Sequence, residues 1–126
     1  MKYLVFITLV FTCFQSLALS CDTEMTKLTE KLNIDKDRNN KEIKRLADAL
    51  VEKGKAKSTI NLIYKLQYSD SDVSPINKEA QKEAFNFISI LKTKDCEAII
   101  KSFTSLGNLE NKRANLMIQK LKAMKN

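Results

Sequence analysis

The sequence contains no histidine and no tryptophan, and only two glycines, one proline and three cysteines in 126 residues. Each shortage removes a class of chemistry. Without histidine there is no side chain whose ordinary pKa lies near neutrality to act as general base, no Ser-His or Cys-His nucleophile pair, and none of the commonest zinc ligand. Two glycines are too few for a phosphate-cradling glycine-rich loop, and no G-x-S-x-G elbow is present. None of the asparagines is followed two residues later by Ser or Thr, so N-glycosylation is not expected. Residues 35–40 (DKDRNN) open like a calcium loop, but Asn40 stands where the loop needs glycine and Leu46 where it needs a bidentate glutamate. The expectation is a protein that is not an enzyme and holds no cofactor or metal.

What is present begins with a leader. Lys2 precedes an uncharged apolar run over residues 3–14 (YLVFITLVFTCF), which is shorter than the ~20 residues a membrane span needs. Ala18-Leu19-Ser20 then gives the small-x-small pattern of a signal-peptidase site, with cleavage expected between Ser20 and Cys21 and a cut after Ala18 as the second choice. Residues 1–20 read as a signal peptide and residues 21–126 as one domain of a secreted, extracellular protein.

Cleavage removes Cys13 and leaves Cys21 and Cys96, and an even pair in a secreted chain predicts one disulfide. Closing a loop of that length stabilises by roughly 4 kcal/mol in the chain-entropy picture. An alternative reads residues 18–21 as a relaxed lipobox, in which Cys21 carries acyl chains and Cys96 stays free.

Lys2 is the only charged residue before Cys21, so residues 21–126 keep 21 basic against 15 acidic side chains, a net charge of +6. Long Lys/Glu/Leu/Ala-rich stretches with little Gly or Pro favour helices over strands. Apolar spacing locates them. Met25, Leu28 and Leu32 mark a first short helix, followed by a polar loop. Asn39 and Glu42 imitate a capping box ahead of Ile43, Leu46, Ala47, Leu50 and Val51, and Gly54 ends that run. Residues 59–68 alternate as a strand would, yet no other segment offers a partner strand, so they are assigned to a helix with Thr59, Leu62, Ile63 and Leu66 inward. Ser74-Pro75 starts another, with a stripe at Ala80, Ala84, Phe87, Ile88 and Leu91. Asp95 caps a helix carrying Cys96, Ile99, Ile100 and Phe103 that Gly107 should stop, and Asn108 should cap a last one carrying Ala114, Met117, Ile118, Leu121 and Met124. The predicted fold is all-α, a compact bundle of about five to six short helices with one disulfide.

Two functions fit this inventory. Lysines and arginines crowd the second helix and its exit (Lys41, Lys44, Arg45, Lys53, Lys55, Lys57) and the last helix (Lys112, Arg113, Lys120, Lys122, Lys125), as suits a surface that meets an extracellular protein or an anionic partner such as a glycosaminoglycan or membrane; Lys41, Lys44, Arg45, Lys53, Lys120 and Lys122 are the candidate binding residues. That reading, a secreted binding or inhibitory protein, is preferred. The alternative is a carrier of a small hydrophobic ligand, with Tyr64, Tyr68, Phe85 and Phe87 lining a pocket inside the bundle. Nucleic acid is not an expected partner, because no Arg-rich or aromatic-interleaved motif occurs.

Overall fold

The computed structural model describes residues 21–125, so the leader expected over residues 1–20 lies outside the described residues. The described chain is all helical, with four helices: α1 (Asp22–Glu52), α2 (Thr59–Ser69), α3 (Val73–Leu91) and α4 (Cys96–Met124). None of them is long and apolar enough to cross a membrane.

Four helices stand where six were expected, because two pairs fuse. The polar stretch after Leu32 contains neither Gly nor Pro, and α1 runs straight through it, leaving Ile34 66% exposed. Asn39 caps nothing; it is buried and its Nδ2 donates to Oδ1 of Asn111 on α4, 3.4 Å away. Gly107 likewise fails to stop α4. It costs the helix about 1 kcal/mol relative to alanine, and it faces α1, where an added Cβ would make an ordinary 3.7 Å contact with Leu32 Cδ1. The loop expected before Ser74 shrinks, because α3 begins at Val73 and takes Pro75 into its first turn, where the missing N–H costs little.

Other local signals act as read. Asp95 accepts the N–H of Ala98 at the start of α4. Ser58 does the same for Asn61 at the start of α2, which confirms residues 59–68 as helix. Gly54, at φ +74°, closes α1: its N–H reaches the carbonyl of Val51 and that of Lys55 reaches Leu50, the paired bonds of a Schellman stop.

The two long helices run parallel. Cys21 touches Cys96 at one end, Asn39 bonds Asn111 midway, and Lys55 reaches the last turn of α4 at the other. Helix α3 runs antiparallel to α4, as Phe87 meets Phe103, Asn77 meets Arg113 and Asp72 meets Lys120. Short α2 covers the far half, bonding α1 through Thr59 and Asp48 and α3 through Gln67 and Asn77.

The core has two apolar parts. Met25, Leu32, Phe87, Leu91, Ile99 and Phe103 fill the end near the cysteines. Ile43, Leu46, Leu50, Leu62, Leu66, Met117 and Leu121 fill the other. Each such side chain contributes on the order of 1.5–3 kcal/mol by leaving water. Between the two parts lies a belt of buried polar residues: Asn39, Gln67, Asn77, Glu110 and Arg113.

Candidate functional site

Three chain segments bring lysines together at the end of the bundle where α1 stops, α2 starts and α4 finishes. The Schellman turn carries Lys53 and Lys55, the approach to α2 carries Lys57, and the last turn of α4 carries Lys122 with Lys125 just beyond it. Lys55 Nζ donates to the carbonyls of Met124 (3.2 Å) and Lys125 (2.9 Å), so a cation caps the negative end of the α4 dipole and ties the segments together. Lys65 lies further along the exposed side of α2. Among the described residues none of these six lysines has a carboxylate within ion-pair distance.

The other candidate cations are in a different electrostatic position. Lys41 pairs with Asp37 at 3.0 Å, Lys44 with Asp48 at 2.7 Å and Arg45 with Glu42 at 2.6 Å, all along the exposed side of α1. These pairs hold the Glu42 and Asp48 carboxyls below their usual range, Glu42 chiefly through the hydrogen bond from Arg45 and Asp48 through those from Lys44 and Thr59. Lys120 is held by Asp72 and, at 3.6 Å, by Asp70, and its pKa is raised by the Asp72 hydrogen bond. Of the six cations singled out from the sequence, Lys53 and Lys122 make no ion pair with a described carboxylate, although Lys122 lies near enough to Glu42 to help lower its pKa, and the other four are locally neutralised. Lys55, Lys57, Lys65 and Lys125 complete the lysine cluster. Their missing partners were visible in the sequence, since residues 53–69 contain no acid and none follows Glu110.

Beside this cationic end an open groove of about 670 Å³ runs along α2. Ala56, Leu62, Leu66 and Met124 give it apolar walls, and Lys55, Lys57 and Lys65 edge it. A second cleft of about 350 Å³ lies on the α1–α2 seam, lined by Ile43, Ile60, Ile63 and Tyr64.

The four aromatics expected to line an interior pocket are not brought together. Phe87 is fully buried against Phe103, with ring centroids 5.3 Å apart. Phe85, two residues away and so about 200° round the same helix, is 63% exposed. Tyr64 is 61% exposed and stacks on the half-buried Tyr68 at 4.5 Å. A two-residue spacing suits one face of a strand, and on a helix it separates the side chains.

The buried belt holds the strongest electrostatic perturbation, and it takes Arg113 out of the basic surface patch expected on the last helix: the side chain is 4% exposed and turned inward to Glu110 and Asn77. Arg113 Nη1 donates to Asn77 Oδ1 (3.2 Å), which also accepts from Gln67 Nε2 (3.3 Å). Glu110 lies 3.6 Å from Arg113. Burial outweighs that attraction and pushes the Glu110 carboxyl up to about 8, while burial lowers the Arg113 pKa. The sequence held the signal: Leu106, Glu110, Arg113, Met117 and Leu121 fall on one helical stripe, which carries both charges inward.

At the opposite end of the bundle the structure holds Cys21 and Cys96 as neighbouring free thiols and does not show the expected disulfide. Cys21 is buried, and its hydrogen bond with Cys96 is the largest cause raising the Cys96 thiol to about 11. Searches of family models, curated proteins and solved structures give no match to this chain.

Proposed function

We propose that this is a secreted, non-catalytic binding protein that docks on a polyanionic surface through the lysine cluster formed by Lys53, Lys55, Lys57, Lys65, Lys122 and Lys125. The observation that carries the reading is the contrast between these six lysines from three segments, none in an ion pair with a described carboxylate although Lys122 also feels the charge of Glu42, and the ion-paired cations along α1. Cations already held by neighbouring carboxylates offer an incoming anion little net field, whereas an unpaired cluster offers a patch that attracts it and is screened by salt over ~8 Å. The sequence feature that supports an extracellular setting is the leader pattern of residues 1–20.

Retention on immobilised heparin and on anionic vesicles tests the reading. Reversing Lys53, Lys57 and Lys122 to glutamate should abolish retention at physiological salt. Reversing Lys41, Lys44 and Arg45 changes net charge by the same amount and should leave most of the retention. Equal losses in the two variants would reduce the cluster to bulk charge, and no retention of the parent at low salt would end the proposal.

A secretory route also bears on the cysteines. The contact between the two thiols supports a Cys21–Cys96 bridge in the oxidised protein, which would pin the parallel α1 and α4 together at their first turns. Intact mass of the secreted protein should equal residues 21–126 less two hydrogens. Two alkylatable thiols, or acyl mass on Cys21, would contradict it.

A further inference from the structure

We propose that the groove along α2 binds a single-chain anionic amphiphile of the fatty carboxylate class, its acyl chain lying on Leu62, Leu66 and Met124 and its head group at Lys57 and Lys65. The inference deepens the reading of the cationic end and rests on it, since the same lysines supply the charge.

Four features carry it. The groove, about 670 Å³, lies in the size range that small ligands occupy. Its lining follows α2 from Ser58 to Ser69, a span of about 16 Å at 1.5 Å per residue, which suits an elongated ligand. Leu62 and Leu66, one helical turn apart and each 7% exposed, form its floor with Ala56, and Met124, 37% exposed, supplies most of the open apolar surface among the serines and Asn61 that complete the lining. Its edge is cationic and available. Among the described residues Lys57 and Lys65 have no carboxylate partner, and Lys55 keeps one of its three donor protons beyond those directed at Met124 and Lys125. The single acid in the lining, Asp70, is already engaged, accepting the N–H groups of Asp72 (2.9 Å) and Val73 (3.1 Å) and facing Lys120.

Charge complementarity selects the occupant. A neutral apolar ligand would leave ammonium groups beside its tail without a counter-charge, and a compact anion would leave the leucine floor wet. An acidic protein partner needs far more surface than one groove supplies. An acyl chain ending in a carboxylate satisfies floor and edge together. The α1–α2 cleft at Ile43, Ile60 and Tyr64 has the apolar area but only Lys44 at its margin, and Asp48 holds that lysine.

The test is calorimetric titration of the purified protein with decanoate, below its micellar concentration, alongside decanol and acetate. Decanoate should bind saturably at one per chain, and the other two at least about tenfold more weakly, a difference of about 1.4 kcal/mol. Asn61→Trp should place an indole in the groove while keeping the backbone N–H on Ser58 and every lysine in place. It should weaken decanoate at least about tenfold and leave heparin retention unchanged. The double reversal Lys57→Glu, Lys65→Glu, at two exposed positions, should weaken decanoate and spare decanol. Decanol binding as tightly as decanoate, or decanoate binding that neither variant weakens, would overturn the proposal. Loss of heparin retention as the only failure would sink the surface reading and leave the groove standing; loss of decanoate binding as the only failure does the reverse.

Discussion

Replacing Glu110 with glutamine should make the protein more stable at alkaline pH and flatten the dependence of its stability on pH. Glu110 sits in the belt between the two apolar parts of the core, 4% exposed, and its Oε1 has no hydrogen-bond partner among the described residues. Folding raises its pKa from an ordinary 4.5 to about 8, because burial disfavours the carboxylate more than Arg113, 3.6 Å away, favours it. Between those two pH values the folded protein holds a proton that the unfolded chain has released. Stability that is complete below about pH 4.5 therefore declines as pH rises toward 8, by at most about 1.4 kcal/mol per unit. Glutamine keeps the shape and never ionises. Denaturant unfolding at pH 8.5 should find Glu110→Gln more stable than the parent by on the order of 3 kcal/mol, with the two converging near pH 4.5. The depressed carboxyls of Glu42, Asp48 and Asp70 act in the opposite direction, losing stability as pH falls through their lowered pKa values, and cancel in the difference. Parallel profiles would mean that Glu110 ionises in the fold at no cost.

Phe87→Ala should destabilise the protein by roughly 3–5 kcal/mol, enough to unfold a marginal domain. Phe87 is fully buried, packs on Phe103, and belongs to the core part that joins α1, α3 and α4. The neighbouring Phe85→Ala, on the exposed side of α3, should cost under about 1 kcal/mol. Chemical denaturation of both variants decides. Comparable losses would place the two rings in one buried site, as an interior aromatic pocket requires, and would contradict the packing described.

Those two residues also show what the sequence made legible. In the stripe Ala80, Ala84, Phe87, Ile88 and Leu91, four residues are buried and Ile88 is half-buried at the margin, because the spacing is helical and local. Grouping Phe85 with Phe87 rested on aromatic character and ignored the turn between them. Helix joints were harder. Asn39 and Gly107 carry genuine stop-and-start chemistry, but both sit where the parallel α1 and α4 touch, and contact between residues some 70 positions apart overrides a propensity of about 1 kcal/mol. The site divides the same way. The pairing of Lys41, Lys44 and Arg45 with acids three or four residues away was written in the spacing. The meeting of Lys55 with the end of α4 was not, because it depends on the direction in which α4 runs beside α1.

The location of the anion-binding surface is tested most directly by residue-resolved amide NMR during titration with a short heparin oligosaccharide at low salt. Shifts should concentrate at residues 53–58, at Lys65 and at residues 122–125, and should collapse as salt rises. Shifts centred on residues 41–45, or spread evenly over the surface, would contradict the account.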